Sequence, residues 1–478
     1  MSEIKNNKEP FHNNEKQKIK AVRFADYFIF AILLCLLTLI IFFFGKANID
    51  HDSVDYYTIL QKLTDNSKKP VVDNPFFVEQ RSPGYSIISI LPYYFTSLVI
   101  EPFVKTEKII DERQVPPRPP RPPRPENNGG YNINRPPPGG GSEMMGFPSL
   151  PLLAKDIFLK KFYIEEEGGW FEWKIIFALL LTSYIFLFAG IIFSVKTLAL
   201  RSKEIVGFSL PMLVIFTSII FMHNIINTPA FATLTAFGLS SLFCFFYVVG
   251  FDKKSFMPQF LTGLFLGLLV LTRLETVLIA GVLCIFLVFY KKWGFLKNVI
   301  LGGSLSLVIF LLYNFSQFGN PLHFGILKGD INQIGFDLNY VFASLLNPKA
   351  GILFWSFLSS LGIIGLFLGN KKYLKVLGAA SLVLIALFLV RIPVMYKCIG
   401  GDPIDIGGML MPCFRTMEEA LMLVRSDTNR YITVLSPFAI LGLQNLFIIF
   451  GKYFKIKFAA KPSNARSSAK SGKEIEIW

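Results

Sequence analysis

Three aspartates follow the first long apolar stretch of the chain, and an aromatic pair comes directly after them: Asp50, Asp52, Asp55, Tyr56 and Tyr57. Carboxylates at the edge of a membrane are costly to desolvate, so they need either water or a function. A carboxylate in this place is suited to take a proton from an acceptor hydroxyl or amine. The neighbouring aromatic rings are suited to form a wall of a sugar site. The alternative is that the aspartates solvate a loop or cap a helix.

A second set of candidate residues is cationic. Arg273 and Glu275 lie in a tight turn between two apolar stretches. The loop before the last apolar stretch contains Arg391, Lys397, Arg415, Arg425 and Arg430. Because arginine binds phosphate through a planar fork of donors, these side chains suit a lipid-linked phosphate at the bilayer edge. An ion pair between Arg273 and Glu275 that tethers two helices is an equally good interpretation.

Membrane-spanning helices must position these residues. The chain is 52% hydrophobic with 50 Phe, and its mean hydropathy is +0.49. Apolar stretches close to the roughly 20 residues that cross a bilayer recur along it, and their backbone must pair within helices. The predicted fold is all-α integral membrane, with about ten transmembrane helices (9–11) and a large first extracytoplasmic loop bearing interfacial helices. The predicted spans lie near residues 27–45, 173–198, 206–226, 230–250, 257–272, 275–290, 296–313, 351–369, 374–391 and 431–450.

The formal net charge of +15 is explained by topology. Lysine and arginine concentrate in the two tails and near residues 201–203, 253–254, 291–297 and 371–375. With both termini in the cytoplasm, all of these groups fall on the cytoplasmic side, as the positive-inside rule requires. Since the sequence has no aromatic-basic groove or finger spacing, we expect no nucleic-acid partner.

Residues 84–103 are apolar enough to span, but a crossing there would place the lysine-rich turns outside. We therefore expect a re-entrant or interfacial helix on the outer face. The domain organisation follows from that choice. It comprises a cytoplasmic basic tail (1–26), the first span with the catalytic outer loop (27–103), a Pro/Gly/Asn-rich extracytoplasmic insertion (104–150), an outer segment leading into the second span (151–172), the remaining bundle (173–450) with outer loops 314–350 and 392–430, and a cytoplasmic basic tail (451–478).

The remaining features add no catalytic group. The insertion contains the run 116–125 (PPRPPRPPRP), which predicts an extended polyproline II linker. Cys398 and Cys413 share the last outer loop, where an oxidising compartment would allow a disulfide. The histidines lack partners at helical spacing, so no metal site is predicted; they are His12, His51, His223 and His323.

The motifs resemble those of the GT-C superfamily of polytopic glycosyltransferases, which includes dolichyl-phosphate-mannose protein mannosyltransferases and aminoarabinose lipid A transferases. Asp52 and Tyr56 form an Asp-x-x-x-Tyr pattern, and an Arg-x-Pro-Gly-Tyr pattern follows at 81–85. Three later segments are similar to family motifs, namely 263–275 (GLFLGLLVLTRLE), 314–321 (NFSQFGNP) and 429–437 (NRYITVLSP). The chain departs from the family where His51 separates two acids that are often adjacent, and where Ser82 replaces a proline.

The resemblance implies transfer of a sugar from a polyprenyl-phosphate-linked donor to a protein, lipid or glycan acceptor, without a cofactor and with inversion. The site would face the extracytoplasmic side of the cytoplasmic membrane. The spacing to Tyr56 favours Asp52 as the general base, with Asp50 and then Asp55 as alternatives. The implied substrate-binding residues are Tyr56, Tyr57, Arg81, Tyr85, Arg273, Glu275, Lys397, Arg415 and Arg430.

Two other functions fit parts of the sequence. A non-catalytic scaffold or flippase for surface-glycan or lipid-carrier export would use the Pro-rich arm equally well. A solute transporter would also have many helices, but its paired, interrupted helices in two related halves are not visible in the sequence. The transferase therefore ranks first, the scaffold or flippase second and the transporter third.

Overall fold

The computed structural model describes residues 9–44, 51–64, 82–100, 162–163, 170–171, 173–201, 207–226, 228–230, 232–253, 255–322, 332–348, 351–393, 404–406, 409–411, 416 and 432–451. Within these ranges the chain is a helical bundle with short two-stranded ribbons. Six described helices are long and apolar enough to cross a membrane: Phe24–Phe44, Lys174–Arg201, Ala232–Asp252, Trp293–Phe318, Lys372–Val390 and Ile432–Gly451. The predicted all-α polytopic membrane fold is confirmed.

Each predicted span contains described helix. The helices are α1 (Glu9–Phe44), α2 (His51–Thr64), α3 (Gly84–Phe95, continued by a π-helical turn Thr96–Ile100), α4 (Trp173–Arg201), α5 (Leu210–Thr217), α6 (Ile219–Ile226), α7 (Ala232–Asp252), α8 (Phe256–Thr272), α9 (Val277–Phe289, preceded by a 3-10 turn Leu274–Thr276), α10 (Trp293–Phe318), α11 (Leu338–Leu346), α12 (Ile352–Trp355), α13 (Phe357–Phe367), α14 (Lys372–Val390) and α15 (Ile432–Gly451).

Two predicted spans are interrupted, and their interruptions meet. The span 206–226 breaks at Ser218 between α5 and α6, and the span 351–369 breaks at Ser356 between α12 and α13. Both serines are buried, and their Oγ atoms lie 3.2 Å apart. Ser218 Oγ also accepts a hydrogen bond from the backbone N–H of Phe221 (3.4 Å). The hydroxyls therefore replace part of the hydrogen bonding that a continuous helix would supply.

Glycines bring pairs of helices into backbone contact. A Cβ atom on Gly263 would overlap the backbone of Val299, and one on Gly302 would overlap Phe260, so α8 and α10 pack at the closest separation. Such small-residue interfaces are typical of membrane helices, since lipid supplies no hydrophobic force between them. The glycines of the segment 263–267 thus have a packing role.

The first helix is fixed to the bundle near one end. The Asp26 carboxylate accepts hydrogen bonds from the backbone N–H of Phe208 (2.6 Å) and from the backbone N–H (3.1 Å) and hydroxyl (2.8 Å) of Ser209. These groups precede α5, whose first N–H groups need acceptors. Further along α1, Leu37 is fully buried in the bundle. Helix α1 begins at Glu9, so it extends into the segment 1–26 that the sequence assigned to a tail.

Short antiparallel ribbons connect segments that the sequence assigned to outer loops. Strand β1 (Phe162–Tyr163) pairs with β2 (Trp170–Phe171), β3 (Asn332–Ile334) with β4 (Arg391–Pro393), and β5 (Ile404–Ile406) with β6 (Met409–Met411). In the second ribbon Gln333 is opposite Ile392, so the predicted loops 314–350 and 392–430 are joined. The insertion 104–150, Cys398 and Cys413 lie outside the described residues.

Candidate active site

Helices α2 and α3 lie against each other and against α4, and they contain the first two motifs. The hydroxyl of Ser86 donates to the backbone carbonyl of Tyr56 (2.9 Å). The rings of Tyr56 and Tyr85 meet edge to face, with centroids 5.1 Å apart. Two segments about thirty residues apart in the chain therefore form one unit.

Tyr85 fixes this unit to α4. Its hydroxyl donates to the carbonyl of Leu179 (2.7 Å) and lies 2.9 Å from Ser183 Oγ. The side chain is fully buried, as a tyrosine with a satisfied hydroxyl can be. The tyrosine of the Arg-x-Pro-Gly-Tyr pattern is therefore a packing residue that sets the position of α3 on the bundle.

The tyrosine pair of α2 is also packed inside. Tyr56 is 2% exposed and Tyr57 is fully buried, both in a cluster with residues of α3 and α4. Burial raises the pKa of Tyr57 above its usual range, so its hydroxyl is protonated at neutral pH. In this structure neither Tyr57 nor Tyr85 presents a free face, and stacking of these rings on a sugar stays a prediction.

The second and third motifs meet at Gly84. A Cβ atom there would overlap the backbone of Leu271 and Thr272, the residues immediately before Arg273. Only a glycine permits this approach of α3 to the end of α8. The segments 81–85 and 263–275, nearly two hundred positions apart in the sequence, are thus in backbone contact.

The fourth motif joins the same place. Tyr313 and Phe318, at the end of α10, pack with Ile59 of α2 and Ile87 of α3. Asn314 is buried, and its Nδ2 donates to the carbonyl of Pro321 (3.2 Å), which turns the chain back over the helix end. Gly319 allows that turn because its φ of 66° is left-handed. We refer to residues 55–57, 84–86, 271–275 and 313–321 together as the motif cluster.

Arg273 faces the start of α7. Its Nη2 donates to Thr233 Oγ1 (2.9 Å), and the side chain is partly buried. Glu275 lies in the following 3-10 turn and is also partly buried. A partly buried guanidinium group that donates to a hydroxyl is therefore part of the motif cluster.

Of the three candidate bases, Asp55 has a described side chain, and it is 5% exposed. Asp52 lies in the first turn of α2, where an acidic side chain is favoured by the helix dipole whatever its further role. Asp52 and Tyr56 are four positions apart within α2. Asp50 precedes α2 and lies outside the described residues.

Other predicted site residues fall where the structure gives no description: Arg81, Lys397, Arg415 and Arg430. Sequence reasoning also missed contributors. Ser86 directly follows the Arg-x-Pro-Gly-Tyr pattern and was a detectable neighbour, whereas Thr233 and Ser183 carry no local signal in otherwise apolar helices. In the described part of the chain, no group of three or more His, Cys, Asp or Glu side chains is close enough to hold a metal ion.

Comparison with known proteins adds one structure. No family model and no curated protein matches the sequence. The chain is similar to the crystal structure of ArnT from Cupriavidus metallidurans bound to undecaprenyl phosphate, with a TM-score of 0.48 and 12% identity. The alignment covers 90% of this chain and 63% of ArnT, so the chain spans less than two thirds of that protein.

Proposed function

We propose that the chain is a membrane glycosyltransferase that moves a sugar from a polyprenyl-phosphate donor to a protein, lipid or glycan acceptor. The observation that carries the proposal is the meeting of four motif-like segments at one end of the bundle, where Gly84 touches Leu271 and Thr272. These segments are spread over more than 250 residues of the sequence, from Asp55 to Pro321. Packing alone does not require that the polar members of four segments share one end.

The proposed reaction is a single displacement. An aspartate of α2, with Asp52 favoured over Asp50 and Asp55, removes the proton of the acceptor hydroxyl. The acceptor oxygen attacks the anomeric carbon, the bond from that carbon to the phosphate oxygen breaks, and the configuration inverts. The polyprenyl phosphate leaves with the bonding electrons, and Arg273 stabilises the charge that develops. Lys397, Arg415 and Arg430 are proposed as further phosphate ligands.

The donor chemistry fits the described residues, which form a helical bundle and include no nucleotide-binding domain. A polyprenyl chain stays in the bilayer while its phosphate and sugar reach the end of the helices. The phosphate then needs cations rather than a nucleotide pocket, and arginine is the residue of choice. We further propose that the motif cluster lies on the extracytoplasmic face of the cytoplasmic membrane, because the opposite end is rich in lysine.

The test is transfer of radiolabelled sugar from polyprenyl-phosphate donors to endogenous acceptors in membranes. Wild type is compared with Asp50→Asn, Asp52→Asn and Asp55→Asn, and with Asp252→Asn as a control, since Asp252 is an exposed carboxylate at the other end of α7. A decrease in sugar transfer of at least about 100-fold in Asp52→Asn, and in no other variant, supports the mechanism. Loss with another aspartate moves the base to that residue, and absence of transfer by wild type with every donor rejects the enzyme.

A flippase for a lipid carrier is the second candidate, favoured by the paired breaks at Ser218 and Ser356. Interrupted helices within a membrane are typical of proteins that pass a polar group across it. Movement of a fluorescent polyprenyl phosphate across proteoliposomes distinguishes the two functions. A flippase moves the lipid without sugar transfer, and Asp52→Asn should leave that movement unchanged.

A further inference from the structure

Lysines from three separate turns line the end of the bundle opposite the motif cluster. Along α7, the 21 residues from Ala232 to Asp252 place about 30 Å between the two ends. The lysines are Lys253 after α7, Lys291, Lys292 and Lys297 at the α9–α10 turn, and Lys371, Lys372 and Lys375 at the start of α14. We refer to them as the lysine face. All except Lys292 are exposed, and Asp252 is the acidic residue in the described parts of these turns.

Three aromatic side chains connect the turns into one surface, and we refer to them as the aromatic floor: Phe251, Tyr290 and Tyr373. The Nζ atom of Lys292 is 3.2 Å from the ring centroid of Phe251 and donates to the Phe251 carbonyl (2.8 Å). Phe251 in turn contacts the ring of Tyr373, with centroids 5.7 Å apart. Lys372 Nζ lies 5.1 Å from the ring centroid of Tyr290. Because the floor fixes the turns relative to one another, the lysines form a preorganised surface rather than separate loop charges.

One of these lysines is held in an unfavourable backbone conformation. Lys291 has a φ of 54°, and it is the residue other than glycine with positive φ in the described chain. The N–H groups of Lys292 and Lys291 donate to the carbonyls of Leu287 and Val288, both at 2.9 Å, which is the Schellman pattern that ends a helix. Glycine is the usual residue at the left-handed position because it has no Cβ. A lysine there lowers local stability and therefore points to a function of its charge.

Exposed apolar side chains adjoin the lysines. Phe289 is 80% exposed and Trp293 is 60% exposed, immediately on either side of the α9–α10 turn. Aromatic residues next to basic residues are typical of the level at which lipid headgroups meet the acyl chains. A purely soluble acidic partner would meet the lysines but would leave these aromatic side chains in water.

We propose that the lysine face is a binding surface for anionic phospholipid headgroups of the adjacent leaflet. Lys253, Lys291, Lys297, Lys371, Lys372 and Lys375 contact the lipid phosphates, while Lys292 holds the floor. Exposed ammonium groups suit this task because they are point charges on flexible stems. This surface lies about 30 Å from the motif cluster, so its occupancy does not depend on the proposed transferase.

The test uses the full-length protein in detergent, titrated with phosphatidylglycerol or phosphatidylcholine. Lipid retention is measured by native mass spectrometry, and the thermal midpoint is measured in parallel. The variant Lys291→Gly/Lys372→Gln removes two charges from the lysine face. Lys62→Gln/Lys174→Gln removes two charges from α2 and the start of α4, near the other end. Since Lys291→Gly relieves backbone strain, failure to fold is not expected for the first variant.

We expect wild type to retain phosphatidylglycerol in preference to phosphatidylcholine. The lysine-face variant should bind phosphatidylglycerol roughly 25-fold more weakly, about fivefold for each lysine removed, and the control pair should match wild type. Equal losses in both variants, or no preference between the lipids, would overturn the proposal. An additional arm adds inorganic phosphate in the absence of phosphatidylglycerol. If phosphate alone reproduces the thermal shift, the occupant is a soluble anion and the lipid proposal fails.

Discussion

The two ends of the bundle differ in what determines the residue type at a conformationally restricted position. At the motif cluster, Gly84 stands where any side chain would overlap the backbone of Leu271 and Thr272. At the lysine face, Lys291 has a left-handed backbone conformation that favours glycine. Its side chain is exposed, so no packing contact excludes it. Packing dictates the residue at the first end. At the lysine face, Lys291 carries a charge where glycine would give higher local stability.

This contrast separates residues that position a site from residues that present a surface. Around Gly84, the buried tyrosines and Ser86 hold backbones in place, so substitutions there should change stability and activity together. Around Lys291, all of the lysines except Lys292 have exposed side chains, although Lys372 also lies near the ring of Tyr290. Substitutions of the exposed lysines should therefore change binding more than they change the fold. Four substitutions test the contrast, in order of decreasing effect.

Gly84→Val should have the largest effect. The new side chain would push α3 away from the end of α8, since backbone atoms of Leu271 and Thr272 occupy its space. We expect a loss of unfolding free energy of about 1–3 kcal/mol and at least about 100-fold lower transfer, because small displacements of catalytic groups are costly. Thermal unfolding and the transfer assay provide the measurements.

Two helical glycines serve as controls for that substitution. Gly281 and Gly294 have nothing within 4 Å of an added Cβ, so Gly281→Ala and Gly294→Ala should be neutral or slightly stabilising. If Gly84→Val leaves thermal stability and sugar transfer as unchanged as these controls do, the contact between α3 and α8 does not position the site. The proposed difference between the two ends would then be wrong for Gly84.

Tyr85→Phe should be intermediate. It removes the hydroxyl that donates to the Leu179 carbonyl and contacts Ser183, which leaves buried polar atoms without this partner. The expected cost is about 1–2 kcal/mol in unfolding free energy, with a fall in kcat rather than a rise in KM. Tyr94→Phe is the matched control because Tyr94 is 50% exposed on the same helix. An unchanged melting temperature for Tyr85→Phe would show that packing alone holds α3.

Much of the fold was predictable because span length and hydropathy are strong signals in membrane proteins. The breaks at Ser218 and Ser356 were not, since helix breaks are usually signalled by proline or glycine and here a contact between two distant serines supports them. Helix α11 was also missed in the predicted loop 314–350. Asp337 precedes it and accepts from the N–H of Asn339 (2.8 Å), a cap that the sequence could have suggested.

The candidate site was predictable only in part. The order of the motifs pointed to residues that do meet, such as Tyr56 with Tyr85. The burial of each side chain could not be predicted, because an aromatic pair after a span can either line a sugar site or pack in the protein interior. Thr233, the partner of Arg273, is forty residues away in the sequence and has no motif of its own. Its role depends on tertiary placement alone.

Lys292→Gln should have a smaller effect, and it sharpens the contrast within the lysine face itself. Lys292 is bonded to the Phe251 carbonyl and lies over the Phe251 ring, so it stabilises the floor. We expect a loss of about 1 kcal/mol in unfolding free energy, with phosphatidylglycerol retention reduced less than by Lys372→Gln. The reverse order, with strong loss of lipid and no loss of stability, would assign Lys292 to the lipid-binding set instead.

Lys291→Gly should have the smallest effect, and its sign is opposite to the others. Relief of the left-handed conformation offsets the greater freedom of glycine in the unfolded chain, so the variant should gain about 0.5–1 kcal/mol, or about 1–2 °C, in zwitterionic detergent. Lys291→Ala keeps the strain without the charge and should match wild type there. With phosphatidylglycerol present, both variants should lose part of the stabilisation that the lipid gives wild type. A glycine variant that is less stable than wild type in zwitterionic detergent would mean that the lysine side chain supports the turn. The strain would then no longer indicate a function of the charge, and structural support of the local turn would explain the residue at both ends.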